Sequence, residues 1–294
     1  MWFVFAILTF LFWGFADLFY KKGNSEEDKY SHLKTGVIVG FTMGLHAIIY
    51  YLVKNINISF IDILKYLPVS LCYILSMIIG YKGLKYINLS ISSPIQNTSG
   101  IITSLLLCII FQIIPSVYEI IGLILMLVGV IILSIIENKS GKEKQDLLTK
   151  IKISVILFPI LYCIIDGMGT FLDAIYLDQL SLISEDTALI SYELTFFIYG
   201  LIVYLYLHFI KKEKIIIKNE KNKIFASLFE TAGQFTYVYA ISSHSIITVP
   251  IVACYSALSI LLSKIFLKEK LTKFQYIALL LIFIGIIILG IFEA

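Results

Sequence analysis

Arginine is missing altogether: all 23 basic residues of this 294-residue chain are lysines. Any acid in its interior therefore has no guanidinium to neutralise it. Charge of both signs is scarce, at 15% of residues, where soluble domains carry about a quarter. The polar stretches 21–34, 137–152 and 211–223 are each too short to enclose a core, which excludes a hidden soluble domain. Cys72, Cys108, Cys163 and Cys254 all stand in apolar runs, with neither metal-ligand spacing nor a disulfide framework. No P-loop, dinucleotide or Ser–His–Asp pattern is present. No catalytic residue, metal or cofactor is expected, and the chain does not read as an enzyme. A net charge of +3 makes no case for nucleic acid, because the lysines stand beside apolar segments.

What remains is an apolar chain. Hydrophobic residues make up 59%, aromatics 14%, and the mean hydropathy is +0.94. This is the composition of an integral membrane protein, all-α because spanning segments must satisfy their own backbone groups. A helix needs about 20 apolar residues to cross the hydrocarbon core. Ten segments are read as spans: 2–20, 35–53, 64–81, 87–111, 116–136, 152–175, 186–209, 224–242, 245–266 and 273–292. The first has no basic region before it and ends in Lys21-Lys22, so it is read as a retained span rather than a signal peptide. Loops 1–2, 3–4, 5–6, 7–8 and 9–10 hold 21 lysines, and the opposite side holds only Lys54 and Lys65. The positive-inside rule then puts the lysine-rich loops in the cytoplasm and both termini outside. The all-lysine, isoleucine-rich composition suggests a bacterial plasma membrane.

One stretch is written twice. Pro94–Gly129 runs without a gap over Pro250–Gly285, 156 residues later. The second copy carries Lys264, Lys268, Lys270 and Lys273 where the first has Cys108, Gln112, Ile114 and Val117. Five spans per half is an odd number, so the second half enters from the opposite face, and the exchange of lysines follows. The expected organisation is a first five-helix repeat over 1–136, a cytoplasmic linker over 137–151, and a second repeat over 152–294. The first span fits the sixth more weakly, with Trp13-Gly14 over Asp166-Gly167. Gly36, Gly40 and Gly44 form a small-residue face for close helix contact.

These residues resemble the EamA-type transporters of the drug/metabolite superfamily. The cues are Phe12-Trp13-Gly14, Gly83-Leu84-Lys85-Tyr86 leading to Ser93-Pro94-Ile95, and Phe266-Leu267-Lys268-Glu269-Lys270-Leu271-Thr272. The last is similar to the family's Gly-Glu-Arg-Leu-Thr turn, with Lys268 and Lys270 in the Gly and Arg places. The first-half turn, Gln112-Ile113-Ile114-Pro115, departs from it. The resemblance covers nearly the whole chain. It implies a basket of two interleaved five-helix repeats around a central substrate cavity, without naming a substrate.

Ionisable groups at membrane depth usually face a bundle interior or a watery cavity. Asp166, Glu193 and Glu230 are the deep acids; Asp17 and Asp173 are expected near opposite membrane interfaces, as open to water as to function. With no arginine nearby, the deep acids can hold a cationic substrate, a coupling proton, or each in turn. The candidate substrate residues are Trp13, Tyr73, Gln96, Asn97, Asp166, Tyr192, Glu193, Glu230, Tyr237 and Tyr255. Candidate proton-coupling residues are Glu193, Asp166, Glu230 and His46, the last able to titrate near neutrality. Trp13 can face an organic cation through its ring. Pro94 and Pro250 are candidate hinges, because proline frees a helix carbonyl and bends the axis. The expected activity is secondary transport of a cationic or zwitterionic amine- or amino-acid-like solute by alternating access, by a monomer or dimer. Two alternatives stay open. One is import of a neutral vitamin or nucleobase held by Asn97 and Gln96. The other is a lipid or glycolipid flippase, which an acidic interior disfavours.

Overall fold

The computed structural model describes residues 1–24, 27–86, 89–143, 153–268 and 271–292, except the side chains of 89–91, 93, 94, 97, 101, 134–143 and 153–156. Among the described residues, every regular element is helical. The helices are α1 (Trp2–Gly23), α2 (Ser31–Lys54), α3 (Phe60–Gly83), α4 (Leu89–Phe111), α5 (Val117–Glu143) and α6 (Ile153–Ala174). They continue as α7 (Glu185–Leu205), α8 (Lys221–Ile241), α9 (Ser245–Ala253), α10 (Tyr255–Phe266) and α11 (Lys273–Phe292). Helices α6 and α7 each run on into a π turn, Ile175–Gln179 and Tyr206–Ile210.

Seven of the described spans are long and apolar enough to cross a membrane: α1, α2, α3, α6 and α7 with their π turns, α9 with α10, and α11. Two shorter apolar helices, Thr98–Phe111 and Val117–Leu133, lie within α4 and α5. The chain is a multi-pass membrane protein. The reading of ten spans is thus met in part. Helix α8 exists where the eighth was expected but is not apolar enough. Its buried residues include Lys223, Ser227, Glu230, Thr231, Gln234 and Thr236, which face other helices rather than lipid. The ninth span breaks at Cys254, four residues beyond Pro250. Helix α4 continues through Pro94, whose side chain, like that of Asn97, lies outside the described residues. Helix α5 runs past the expected end at 136 to Glu143, and 144–152 of the expected linker lie outside the described residues.

The helices pack mainly in distant antiparallel pairs. Helix α1 lies along α8, where Thr9 meets Thr236 at 2.8 Å. Helix α3 lies along α6, and α2 along α7. Helix α5 lies along α11, while α4 packs on α9 and α10. Glycines set the closest approaches. A Cβ added to Gly40 would meet the Phe196 carbonyl at 2.6 Å and the Gly200 Cα at 2.9 Å. One added to Gly200 would meet the Gly40 Cα at 3.1 Å. The backbones of α2 and α7 therefore touch, as the Gly36/Gly40/Gly44 face anticipated.

The 156-residue register recurs in the backbone. Gln112 and Lys268 both adopt left-handed conformations, φ 55° and 58°. This is where the family's turn has glycine, the residue that tolerates positive φ. The next helix then opens each time with a capping box. Glu119 N–H donates to Ser116 Oγ at 3.2 Å and Ser116 N–H donates to the Glu119 carboxylate. Gln275 N–H donates to Thr272 Oγ1 at 3.3 Å and Thr272 N–H donates to Gln275 Oε1 at 2.7 Å. Further along, a Cβ on Gly129 would lie 2.8 Å from the Ala278 carbonyl, and one on Gly285 would lie 2.8 Å from the Gly122 carbonyl.

The α2–α7 crossing generates a direct prediction. Gly40→Leu forces backbone apart and should cost about 1–3 kcal/mol of overpacking. It is expected to lower the melting temperature in detergent by several degrees. Leu52→Ala, at a side chain 65% exposed, should leave it unchanged. Equal melting temperatures for the two variants would refute the contact.

Candidate functional site

Between α1, α3, α4, α6, α7, α8 and the α9–α10 break lies a cavity. Eight rings line it: Trp13 with Tyr20, Tyr73, Tyr81, Tyr162, Tyr192, Tyr237 and Tyr255. Trp13 stacks obliquely on Tyr237 at 5.0 Å and meets Tyr255 edge-on at 6.0 Å. The indole lies flat against Gly233, where a Cβ would come within 2.3 Å of the ring. The α9–α10 break presents Ala253 and Tyr255 to the same space.

Three carboxylates enter it, Asp17, Asp166 and Glu230, and no lysine or histidine is among its described lining residues. Asp17 and Glu230 are 6% and 7% exposed. Asp166 accepts a hydrogen bond from Ser76 at 3.2 Å, and Glu230 accepts one from Tyr20. Neutral hydroxyls thus reach two of the acids without neutralising them. Gln96 lines the wall while donating to Ser92 at 2.9 Å. Two donors are left over. Trp13 Nε1 and Gln234 Nε2 are buried without a hydrogen-bond partner among the described residues, and both residues line the cavity. A buried donor left unsatisfied costs about 1–3 kcal/mol, so each is a ready contact for an acceptor on a bound solute.

Of the residues named from sequence, Trp13, Tyr73, Gln96, Asp166, Tyr192, Glu230, Tyr237 and Tyr255 come together at this cavity. Glu193 does not. It is fully buried and its carboxylate meets His46 Nδ1 at 2.8 and 2.9 Å, across the α2–α7 contact. Neither Lys82 nor Lys85 neutralises a cavity acid: Lys82 is exposed, and Lys85 donates to the Asp28 and Lys29 carbonyls at 2.7 and 3.1 Å. Asp17 and Asp173, for which water and function were equally open, are buried. Asp173 accepts from Tyr66 and, at 3.3 Å, from Tyr73. Position along a helix located them near its ends; other helices overhang both. Sequence reasoning missed Asp17, Tyr20, Tyr81 and Tyr162 as cavity residues. Asp17 stands one helical turn from Trp13, the available signal.

On the lysine-rich side, Lys34 bridges Asp28 at 3.0 Å and Glu213 at 3.4 Å, linking the loops after α1 and α7. On the opposite side, Tyr50 and Tyr239 both donate to Asp186, Tyr50 at 2.8 Å. Between that cluster and the cavity, the Tyr73 and Tyr237 hydroxyls meet at 3.1 Å.

A multi-pass helical bundle around an aromatic, acidic cavity is the frame of a small-solute membrane transporter. The chain belongs to the EamA-like transporter family, whose sequence profile matches residues 1–135 and 154–291. The family's members are transporters, not enzymes. One solved protein crystal structure superposes with TM-score 0.66 over 98% of this chain and 96% of that chain, at 10% identity; this is a likeness of fold. Comparison with curated proteins finds no match.

The orphan amide generates a prediction. Gln234→Met keeps the side-chain length and removes an unsatisfied donor, so the solute-free melting temperature should stay level or rise. A fall of several degrees would show that Gln234 holds the fold instead.

Proposed function

We propose that this protein is a secondary active transporter that carries a small organic cation or zwitterion by alternating access. The observation that carries the reading is one cavity with three carboxylates and no base among its described lining residues. A primary ammonium fits the acids, aromatic rings suit its organic body, and a carbonyl or carboxylate on the same solute fits Trp13 Nε1 and Gln234 Nε2. A flippase for anionic headgroups would need the opposite charge in this space.

Alternating access, in this reading, comes from two five-helix halves of opposite insertion, 1–136 and 152–294. Supporting it are the doubled family match, the 156-residue register of turns and caps, and the pairing of helices. Exchanging each span with the one five later turns α1–α8 into α6–α3 and α3–α7 into α8–α2. The lysine-rich loops then lie in the cytoplasm of a bacterial cell, with both termini outside. The cavity reaches from the tyrosine pair at mid-depth toward that lysine-rich side. Coupling is to protons, exchanged at the cavity acids or at the Glu193–His46 pair. Pro250, just before the α9–α10 break, and Pro94 at its counterpart on α4 are where the axes flex.

Thermal-shift titration with small amines, amino acids and nucleobases tests the reading. A ligand at about 100 times its dissociation constant adds about 2.7 kcal/mol to stability, a shift of several degrees. Amines should stabilise the wild type, and Asp166→Asn and Glu230→Gln should weaken that binding at least tenfold. Glu193→Gln, outside the cavity, should keep it. Stabilisation by nucleobases alone, or full amine binding in both cavity variants, would reject the proposal.

A further inference from the structure

Among the acids outside the cavity, Asp173 lies on the same helix as one inside it. It stands seven residues after Asp166 on α6, two turns along the same face and roughly 10 Å further on. It is fully buried, as is Tyr66, which donates to it. Tyr73 joins the two places: its ring lines the cavity, and its hydroxyl contacts Asp173 and Thr170, each at 3.3 Å. Tyr73, in contact with Tyr237, thus links Asp173 to the cavity wall.

The register of the two halves gives this couple a counterpart. Trp13-Gly14 over Asp166-Gly167 sets α1 against α6 at an offset of 153, which puts Tyr20 over Asp173. Tyr20 bonds Glu230 of α8 and Asp173 bonds Tyr66 of α3, so the matched places on α1 and α6 each carry one member of a phenol–acid couple. The same two partner helices, α3 and α8, supply the Tyr73 and Tyr237 hydroxyls that meet at 3.1 Å. At present Glu230 and Tyr20 line the cavity and Asp173 and Tyr66 are sealed. In an inverted repeat, the opposite-facing state arises when the halves exchange conformations. That exchange uncovers Asp173 as it covers Glu230.

We propose that Asp173 is a second cation station, serving the mouth opposite the present cavity. It takes the solute's ammonium when the tyrosine layer parts, with Tyr66 as its movable cap. The inference rests on the cavity being a cation site, yet it can be tested without knowing the solute.

The experiment places Tyr66→Cys in a protein in which Cys72, Cys108 and Cys163 are serine, in membrane vesicles. Labelling is compared between a cationic reagent, trimethylammonioethyl methanethiosulfonate, and the anionic sulfonatoethyl reagent. A matched protein without Tyr66→Cys gives the background from Cys254. The cationic reagent should react about tenfold faster, relative to the two rates on a free thiol. Asp173→Asn should abolish that preference, while Asp166→Asn and Glu230→Gln should preserve it. If Tyr66→Cys fails to purify as a single species, Tyr73→Cys reads the same carboxylate. No labelling from either face, or a preference indifferent to Asp173→Asn, would overturn the proposal. A charge preference that persists in a protein no amine stabilises would reject the cavity reading and leave this station standing.

Discussion

Every deep carboxylate in this chain has to be accommodated without a guanidinium, and the bundle is organised around that constraint. Glu193 meets His46, Asp173 meets Tyr66 and Tyr73, and Asp186 meets Tyr50 and Tyr239. Asp166 has Ser76 and Glu230 has Tyr20. Phenols and hydroxyls donate without carrying charge, so they hold a carboxylate in place while leaving its charge available. In the cavity, on the function proposed above, the compensating cation is the solute itself. The many tyrosines are thus more than packing: they substitute for the absent arginines with groups that can let go.

The same helices also approach one another closely, and glycine makes that geometry possible. At Gly40 and Gly200 the backbones of α2 and α7 are in contact, a small-residue interface of the kind that lets membrane helices approach closely. At Gly122, Gly129 and Gly285 the α5–α11 pair does the same. These contacts lie between distant parts of the chain, so the molecule is interleaved rather than divided into two lobes side by side.

Much of this was legible in the sequence because it is local or periodic. Apolar runs marked the helices, the written-out duplication marked the turns at Gln112 and Lys268, and the Gly-x3-Gly spacing marked a crossing. Trp13, Tyr73, Tyr237 and Tyr255 stood out as aromatics at depth and do share one cavity. What failed was long-range. That Glu193 would turn away from the cavity depends on His46, 147 positions away. Asp17 and Asp173 were left open between water and function because each lies toward a helix end, and no local pattern reveals which helices overhang them. Helix α8 was expected to be as apolar as its neighbours. Its polarity is the imprint of the cavity it lines, which a hydropathy scale registers only as a weaker span.

The central claim is that a small cation crosses this bundle through a cavity that faces one side at a time. Counterflow in proteoliposomes measures that most directly. Vesicles preloaded with an unlabelled primary aromatic amine are diluted into its labelled form. The account predicts a transient accumulation of label above equilibrium, saturable in the amine and abolished by Asp166→Asn. Uptake that rises linearly with concentration, with no stimulation from the opposite side, would contradict it.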